Sequence, residues 1–137
     1  MATAIFGRKK HMTQAFQDDG TLVGVTVIEV EPNVITAVRT AESDGYEAVQ
    51  VRIDFEKGTA FGKHTHPGEE VIYVLEGVFV YEVEGQLPLT LKAGDTLFVP
   101  AGTTHAARNT GKGKAVELAT YIVEKGKPLL EMVDDDH

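Results

Sequence analysis

Apolar and polar residues along this chain follow a period near two, the pattern of strands with one buried face. YEAVQVRIDF, residues 46–55, alternates and predicts a strand. TLVGVTVIEVE, residues 21–31, is rich in β-branched residues and predicts another. Glu31-Pro32-Asn33 breaks it and VITAVRT, residues 34–40, follows, so 21–40 reads as a hairpin. Asp18-Asp19-Gly20 and Ser43-Asp44-Gly45 are turn signals. Residues 4–17 alternate poorly and carry the basic run Arg8-Lys9-Lys10. Further on, VIYVLEG (71–77) and VFVYEVEG (78–85) predict a hairpin turning near Glu76-Gly77. QLPLTLKAGD supplies a short strand and a turn at Ala93-Gly94-Asp95, and TLFVPAGTTH brings the chain back. Lys112 and Gly113 sit in a turn, and AVELATYIVE is the last strand. Only PLLEMVDDD suits a short helix. Many short strands separated by turn residues predict an all-β, closed or sandwich-like barrel.

A length of 137 residues suits one domain, 1–137, with a real core. With 42% hydrophobic and 25% charged residues, disorder is not expected. No run of 18 apolar residues occurs, so no membrane span is expected. The N-terminus lacks a signal-peptide pattern, and a cytoplasmic location is the simplest expectation. Without cysteine there is no disulfide framework and no thiolate ligand or nucleophile. The net charge of −8 argues against general nucleic-acid binding. Residues 1–52 carry five Lys/Arg against seven Asp/Glu, and residues 53–137 carry eight against fourteen. The run Asp134-Asp135-Asp136 reads as a solvated, frayed end, and since an Asp/His tail can bind metal weakly, His137 can mislead a metal assay.

The stretch Gly58 to Gly77, GTAFGKHTHPGEEVIYVLEG, carries the candidate chemistry. In an extended strand His64 and His66 point to the same face. Glu70, beyond the Pro67-Gly68 turn, can return to that face from the next strand. Two imidazoles and a carboxylate form part of a shell for a divalent transition metal. A further donor would come from His11 or His105, and His105 lies in a second informative stretch, GDTLFVPAGTTHAARN, residues 94–109.

The two stretches read G(x)5HxH(x)3E(x)6G and G(x)5PxG(x)2H(x)3N, filled by Gly58, His64, His66, Glu70 and Gly77, then Gly94, Pro100, Gly102, His105 and Asn109. They resemble the paired motifs of the cupin superfamily, from about Val49 to Pro128, and in particular small single-domain bacterial members. The resemblance implies a jelly-roll β-barrel, here with an N-terminal β-hairpin extension. It also implies a metal held by His64, His66, Glu70 and His105. Mn, Fe, Co, Ni, Cu or Zn suits three His and one Glu, and one or two coordination positions stay open. A homodimer is expected too, with N-terminal strands packed on, or exchanged with, the neighbour.

The N-terminal third carries a second resemblance. GRKKHMTQAFQDDG, VTVIEVEPNVITAVRT and SDGYEAVQV, over about residues 5–51, are similar to the start of the third large-subunit ribosomal protein. His11 and Gly24 depart from that pattern, and the basic body of that family is absent. The resemblances meet near Ala48-Val49-Gln50-Val51. The expected organisation is therefore a ribosomal-like segment, 1–52, a motif-bearing core, 53–128, and an acidic tail, 129–137. An engineered chimera, a natural recombinant and a chance likeness are the three explanations. The length and continuity of the match make chance the least favoured, and the engineered chimera is the preferred explanation.

Strand alternation places Ile72 and Val74 on the face of Glu70 with Tyr73 turned away, and Ala107 and Asn109 on the face of His105. The side taken by Phe61 is open. Arg39, Arg52, Arg108, Glu82 and Glu84 read as solvated charges, Tyr73, Phe79 and Tyr81 as core or interface, and His11 as outside the site. No catalytic residue stands out. The preferred reading is a metal-binding barrel, chimeric or designed and without an assured native activity, able to take a small-molecule ligand. The alternative is a metal-dependent enzyme, a dioxygenase or a small-molecule isomerase or decarboxylase. A third reading, an RNA binder, rests on the N-terminal match and is opposed by the charge.

Overall fold

The computed structural model describes residues 7–30 and 33–134, and side chains from 17 to 22 and from 34 to 134. Twelve strands and one short helix are described. β1 (Gly7–Phe16) and β2 (Leu22–Val30) form a two-stranded antiparallel sheet. Next come β3 (Asn33–Arg39), α1 (Ala41–Asp44), β4 (Ala48–Phe55), β5 (Ala60–Thr65), β6 (Glu70–Glu76) and β7 (Val78–Val83). β8 (Leu89–Lys92), β9 (Thr96–Val99), β10 (His105–Asn109), β11 (Ala115–Ile122) and β12 (Glu131–Met132) complete the order. Two five-stranded sheets, β12-β5-β10-β7-β8 and β3-β4-β11-β6-β9, make the expected jelly roll. Their inner faces supply one core, including Val51, Ile53, Ile72, Val74, Phe79, Tyr81 and Ala119. Among the described residues no helix is long and apolar enough to cross a membrane.

Several pairings differ from the sequence expectation. Residues 21–40 are not one hairpin. β2 pairs with β1 across the Asp18-Asp19-Gly20 turn, where the Thr21 N–H donates to Asp19 Oδ1 at 2.8 Å. β3 instead adds an edge strand to β4, Asn33 opposite Ile53 and Arg39 opposite Ala48. The poorly alternating 7–16 segment is a strand with a register shift between Lys9 and His11, and such a shift resets the side-chain phase that a period-two reading follows. Ser43-Asp44-Gly45 closes one helical turn: the Thr40 side chain caps the Ser43 N–H, and left-handed Gly45 ends it.

The predicted 71–85 hairpin is instead a corner between the sheets. β6 pairs with β11 and β9, and β7 pairs with β10 and β8. Gly77 turns the chain at φ +78°, and a Cβ there would lie 2.7 Å from Ala115. A short link between two strands looks the same locally whether it closes a hairpin or crosses a sandwich. The expected C-terminal helix is replaced by β12, paired with β5 through Glu131–Thr65 and Met132–His64. Asp134 is exposed, while Asp135, Asp136 and His137 lie outside the described residues.

Candidate metal centre

β5 and β10 run side by side with His105 directly opposite His64. The Pro67-Gly68 turn folds tightly on β11: a Cβ on Gly68 would fall 2.0 Å from the Ile122 carbonyl oxygen. This close approach aims the first residue of β6, Glu70, back toward the histidines. The second motif is tied to the first by the Gly102 N–H, which donates to the His66 carbonyl at 2.8 Å. Asn109 is not a ligand. Its Nδ2 donates to the carbonyls of Phe55, Glu56 and Gly113, and its Oδ1 accepts from the Gly111 N–H, so it clamps the end of β10.

His64, His66, Glu70 and His105 come together as the motifs imply. All four are buried, and their donor atoms lie within 4.8 Å of one another. Each imidazole hydrogen-bonds a backbone carbonyl through Nδ1: His64 to Gly62 at 2.7 Å, His66 to Leu129 at 2.8 Å, and His105 to Thr103 at 2.9 Å. A carbonyl only accepts, so Nδ1 carries the proton and Nε2 of each neutral ring presents a lone pair to the centre. His66 Nε2 is buried with no hydrogen-bond partner. Glu70 Oε2 is 3.2 Å from it, a contact between two acceptors that a cation would reconcile. His105 Nε2 lies 2.7 Å from the same oxygen, and without a cation the two share a proton. Three imidazole nitrogens and one carboxylate are a donor set that fits a divalent transition metal.

The electrostatics agree. Burial and the neighbouring imidazoles push His64 down to about 4, which keeps it a neutral donor despite the opposing Gly62 hydrogen bond. Burial alone would raise Glu70, but the His105 hydrogen bond and the adjacent His66 outweigh it and hold the carboxyl down to about 2. Burial pushes His105 down, and its bond to Glu70 more than offsets this, leaving it raised.

A chamber of about 20 Å³ opens on His64, Glu70 and His105, and at the water-exclusion scale that is room for about one water. Ile53, Phe55, Phe61 and Ala107 give it apolar walls, which settles the side of Phe61: its ring packs edge-on against His64 with centroids 4.6 Å apart. A wider surface groove, lined by Lys63, Glu82, Glu84 and Thr104, also reaches His105.

The expected facings hold. Ile72, Val74, Ala107 and Asn109 are buried and Tyr73 is exposed. Phe79 and Tyr81 are core. Arg39 and Arg52 pair with Asp44 and Asp54 at 3.3 and 3.0 Å, and Arg108, Glu82 and Glu84 are exposed. His11 stands on β1 opposite Val27, and its side chain lies outside the described residues.

The residue missed was Glu117. It is 3% exposed, lines the chamber and accepts a hydrogen bond from the Tyr81 hydroxyl. Burial, helped by the Glu70 charge and opposed by the Tyr81 bond, raises it to about 8. Tyr121 hydrogen-bonds Glu70 and packs 4.7 Å from His66 between ring centroids. The available signal was alternation within AVELATYI, where Glu117 shares a face with Ala115, Ala119 and Tyr121.

The family model of the cupin domain matches residues 51–121, more than half of the chain. A cupin-like protein of Thermotoga maritima superposes with a TM-score of 0.65 at 21% identity, over 76% of each chain. The DMSP lyase DddQ of Ruegeria pomeroyi superposes with a TM-score of 0.57 at 25% identity, over 62% of this chain and 42% of its own. Large ribosomal subunit protein uL3 of Cellvibrio japonicus is 38% identical over 117 residues, 83% of this chain and 55% of the relative. That alignment reaches beyond residues 5–51, where the likeness is read from the sequence. The chain spans about half the length of the curated relatives it matches.

Proposed function

Because the chain belongs to the cupin family, we infer that its barrel holds one divalent transition metal on His64, His66, Glu70 and His105. The observation that carries this reading is the gathering of one donor atom from each of the four residues within 4.8 Å, with His66 and His105 Nε2 both against Glu70 Oε2 and His66 Nε2 left unsatisfied. Mn, Fe, Co, Ni, Cu and Zn all suit the donors, and availability selects among them. Such an ion supplies Lewis-acid polarisation or oxygen activation at a coordination position left open. The chain's own part is to hold the rings by their Nδ1 bonds and to exclude bulk water with Phe55, Phe61 and Ile53. Titration with Co(II) tests the site. The wild type should develop ligand-field absorption saturating near one equivalent, and His64→Ala/His105→Ala should not. A flat titration of the wild type contradicts the reading.

The preferred reading remains a chimeric metal-binding barrel without an assured native activity. It is supported by the likeness to a ribosomal protein in the same chain as a cupin core. The source locus tests it, since a native reading frame spanning both parts contradicts an engineered origin. The enzyme reading is favoured by the chamber with its Glu117–Tyr81 pair and by a lyase among the structural neighbours. Oxygen uptake or turnover with reduced iron across a panel of small substrates separates the two. A homodimer through the outer face of the β3-β4-β11-β6-β9 sheet is part of the same proposal. Val71, Tyr73, Leu75 and Phe98 are exposed there, with Val71 directly opposite Phe98. A single-chain mass in solution scattering at high concentration would refute it.

A further inference from the structure

Two of the three imidazoles are held locally and one is not. His64 and His105 bond carbonyls two residues away on their own segments, at Gly62 and Thr103. Those bonds form whenever the segment does. His66 bonds the Leu129 carbonyl, 63 residues on, at 2.8 Å. Its ring is therefore fixed only while the chain around Leu129 is docked.

That chain is a strap. Beyond β11, residues 123–133 leave one sheet and end on the other, as β12 beside β5. The Val123 N–H donates to the Glu47 carbonyl and the Val133 N–H to the Lys63 carbonyl, each at 2.9 Å. Between these ends the turn at 124–128 closes on itself: the Lys127 N–H donates to the Glu124 carbonyl at 3.1 Å, and Lys127 Nζ is 3.1 Å from Glu124 Oε1. Leu129 and Leu130 are half-buried against the core. The two residues of β12 and Val133 are exposed. Met132 reaches over Gly62, where a Cβ would lie 3.4 Å from its Cε. Surface grooves flank the strap, one along 123–129 and one past Val133 to His105. A segment with so little buried surface and an exposed two-residue ladder opens locally at lower cost than the barrel.

Docking and ligation are then linked. An Nδ1–H held by Leu129 leaves Nε2 of His66 as the donor atom. A released strap frees the ring to turn and to exchange tautomers, so His66 stops being a fixed ligand. Conversely, an ion on His66 Nε2 favours the Nδ1–H form and hence the docked strap.

We propose that residues 123–133 are a latch on the metal centre, pinning His66 as a donor when docked and letting the ion pass when released. The inference rests on the metal reading above.

Co(II) bound to the full chain and challenged with excess chelator reports release through the decay of its ligand-field absorption. Val133→Pro removes one exposed ladder donor and should speed release about 2–10-fold, the worth of one hydrogen bond. Lys63→Cys/Val133→Cys, in a chain with no other cysteine, sets two thiols across the same ladder. Its oxidised form should release Co(II) more slowly than the wild type, and reductant should restore the rate. A substitution that merely loosened the fold would not slow release. Hydrogen exchange adds a second readout. In metal-free protein the Val133 amide should exchange faster than the amides between β10 and β7, and Zn should slow it. Equal release from the wild type, Val133→Pro and the oxidised pair, with one Co(II) in each, overturns the latch and leaves the metal centre standing. No Co(II) in the wild type overturns the metal reading and the latch with it.

Discussion

Replacing Glu117 by Gln should remove a pH-dependent loss of stability from the metal-free protein. The carboxyl titrates at its ordinary 4.5 in the unfolded chain and at about 8 in the fold, because it is buried beside Glu70. The native state therefore holds the proton more tightly. Its stabilising contribution is complete below about pH 4.5, declines as pH rises, and is gone above about 8. At ~1.36 kcal/mol per pH unit, the loss across that window is about 5 kcal/mol, comparable with the whole stability of a small domain. Gln is close in size and keeps an oxygen to accept the Tyr81 hydroxyl, so its stability should lack this slope. Urea unfolding of chelator-stripped protein at intervals from about pH 5 to about pH 9 measures both curves. The advantage of Glu117→Gln over the wild type should widen by several kcal/mol toward alkaline pH. Curves that stay parallel over the whole range would refute the buried neutral acid. Glu70 acts with the opposite sign. Held down to about 2, it stabilises above its ordinary 4.5, and that contribution is lost as pH falls toward 2.

Gly77→Ala should cost about 3 kcal/mol in chemical denaturation, from a left-handed backbone and a Cβ at 2.7 Å from Ala115. An unchanged midpoint would contradict the corner between the sheets. Asn109→Ala removes the amide that bonds the Phe55, Glu56 and Gly113 carbonyls and the Gly111 N–H, and should lose about 2–4 kcal/mol by the same assay. Added Zn at about 100 times its dissociation constant should stabilise the wild type by ~2.7 kcal/mol. That gain, read as a higher melting temperature and reversed by chelator, should be absent from His66→Ala.

His64, His66 and Glu70 were legible because the residues that bring them together are neighbours in sequence, while His105, which the residues alone left open beside His11, was assigned through the likeness of the second motif. Strand alternation, the Pro67-Gly68 turn and the Pro100–Gly102 turn act over a few residues, and each acts as its residue types dictate. Pairing partners were less legible. The segment around Glu76-Gly77 looks like a hairpin turn until Ala115, distant in sequence, occupies the space beside it. The edge position of β3 and the return of β12 onto β5 likewise depend on strands far along the chain. Glu117 was hidden by its own strand. In AVELATYI the strongly apolar Leu118 and Ile122 lie toward the outer face, while Ala, Glu, Ala and Tyr face the core. Hydrophobicity alone reads that strand inside out, because the outer sheet face is itself apolar at Val71, Tyr73 and Phe98.

Elemental analysis of purified, tag-free protein beside the His64→Ala/His105→Ala variant tests the central claim most directly. About one transition metal per chain in the wild type, and none in the variant, is the result the four-donor centre predicts. Metal retained equally by both would place it elsewhere, on the acidic C-terminus for example. No metal in either, even after loading with Fe, Mn, Ni and Zn, would contradict the account and leave the four residues as a hydrogen-bonded interior of the barrel.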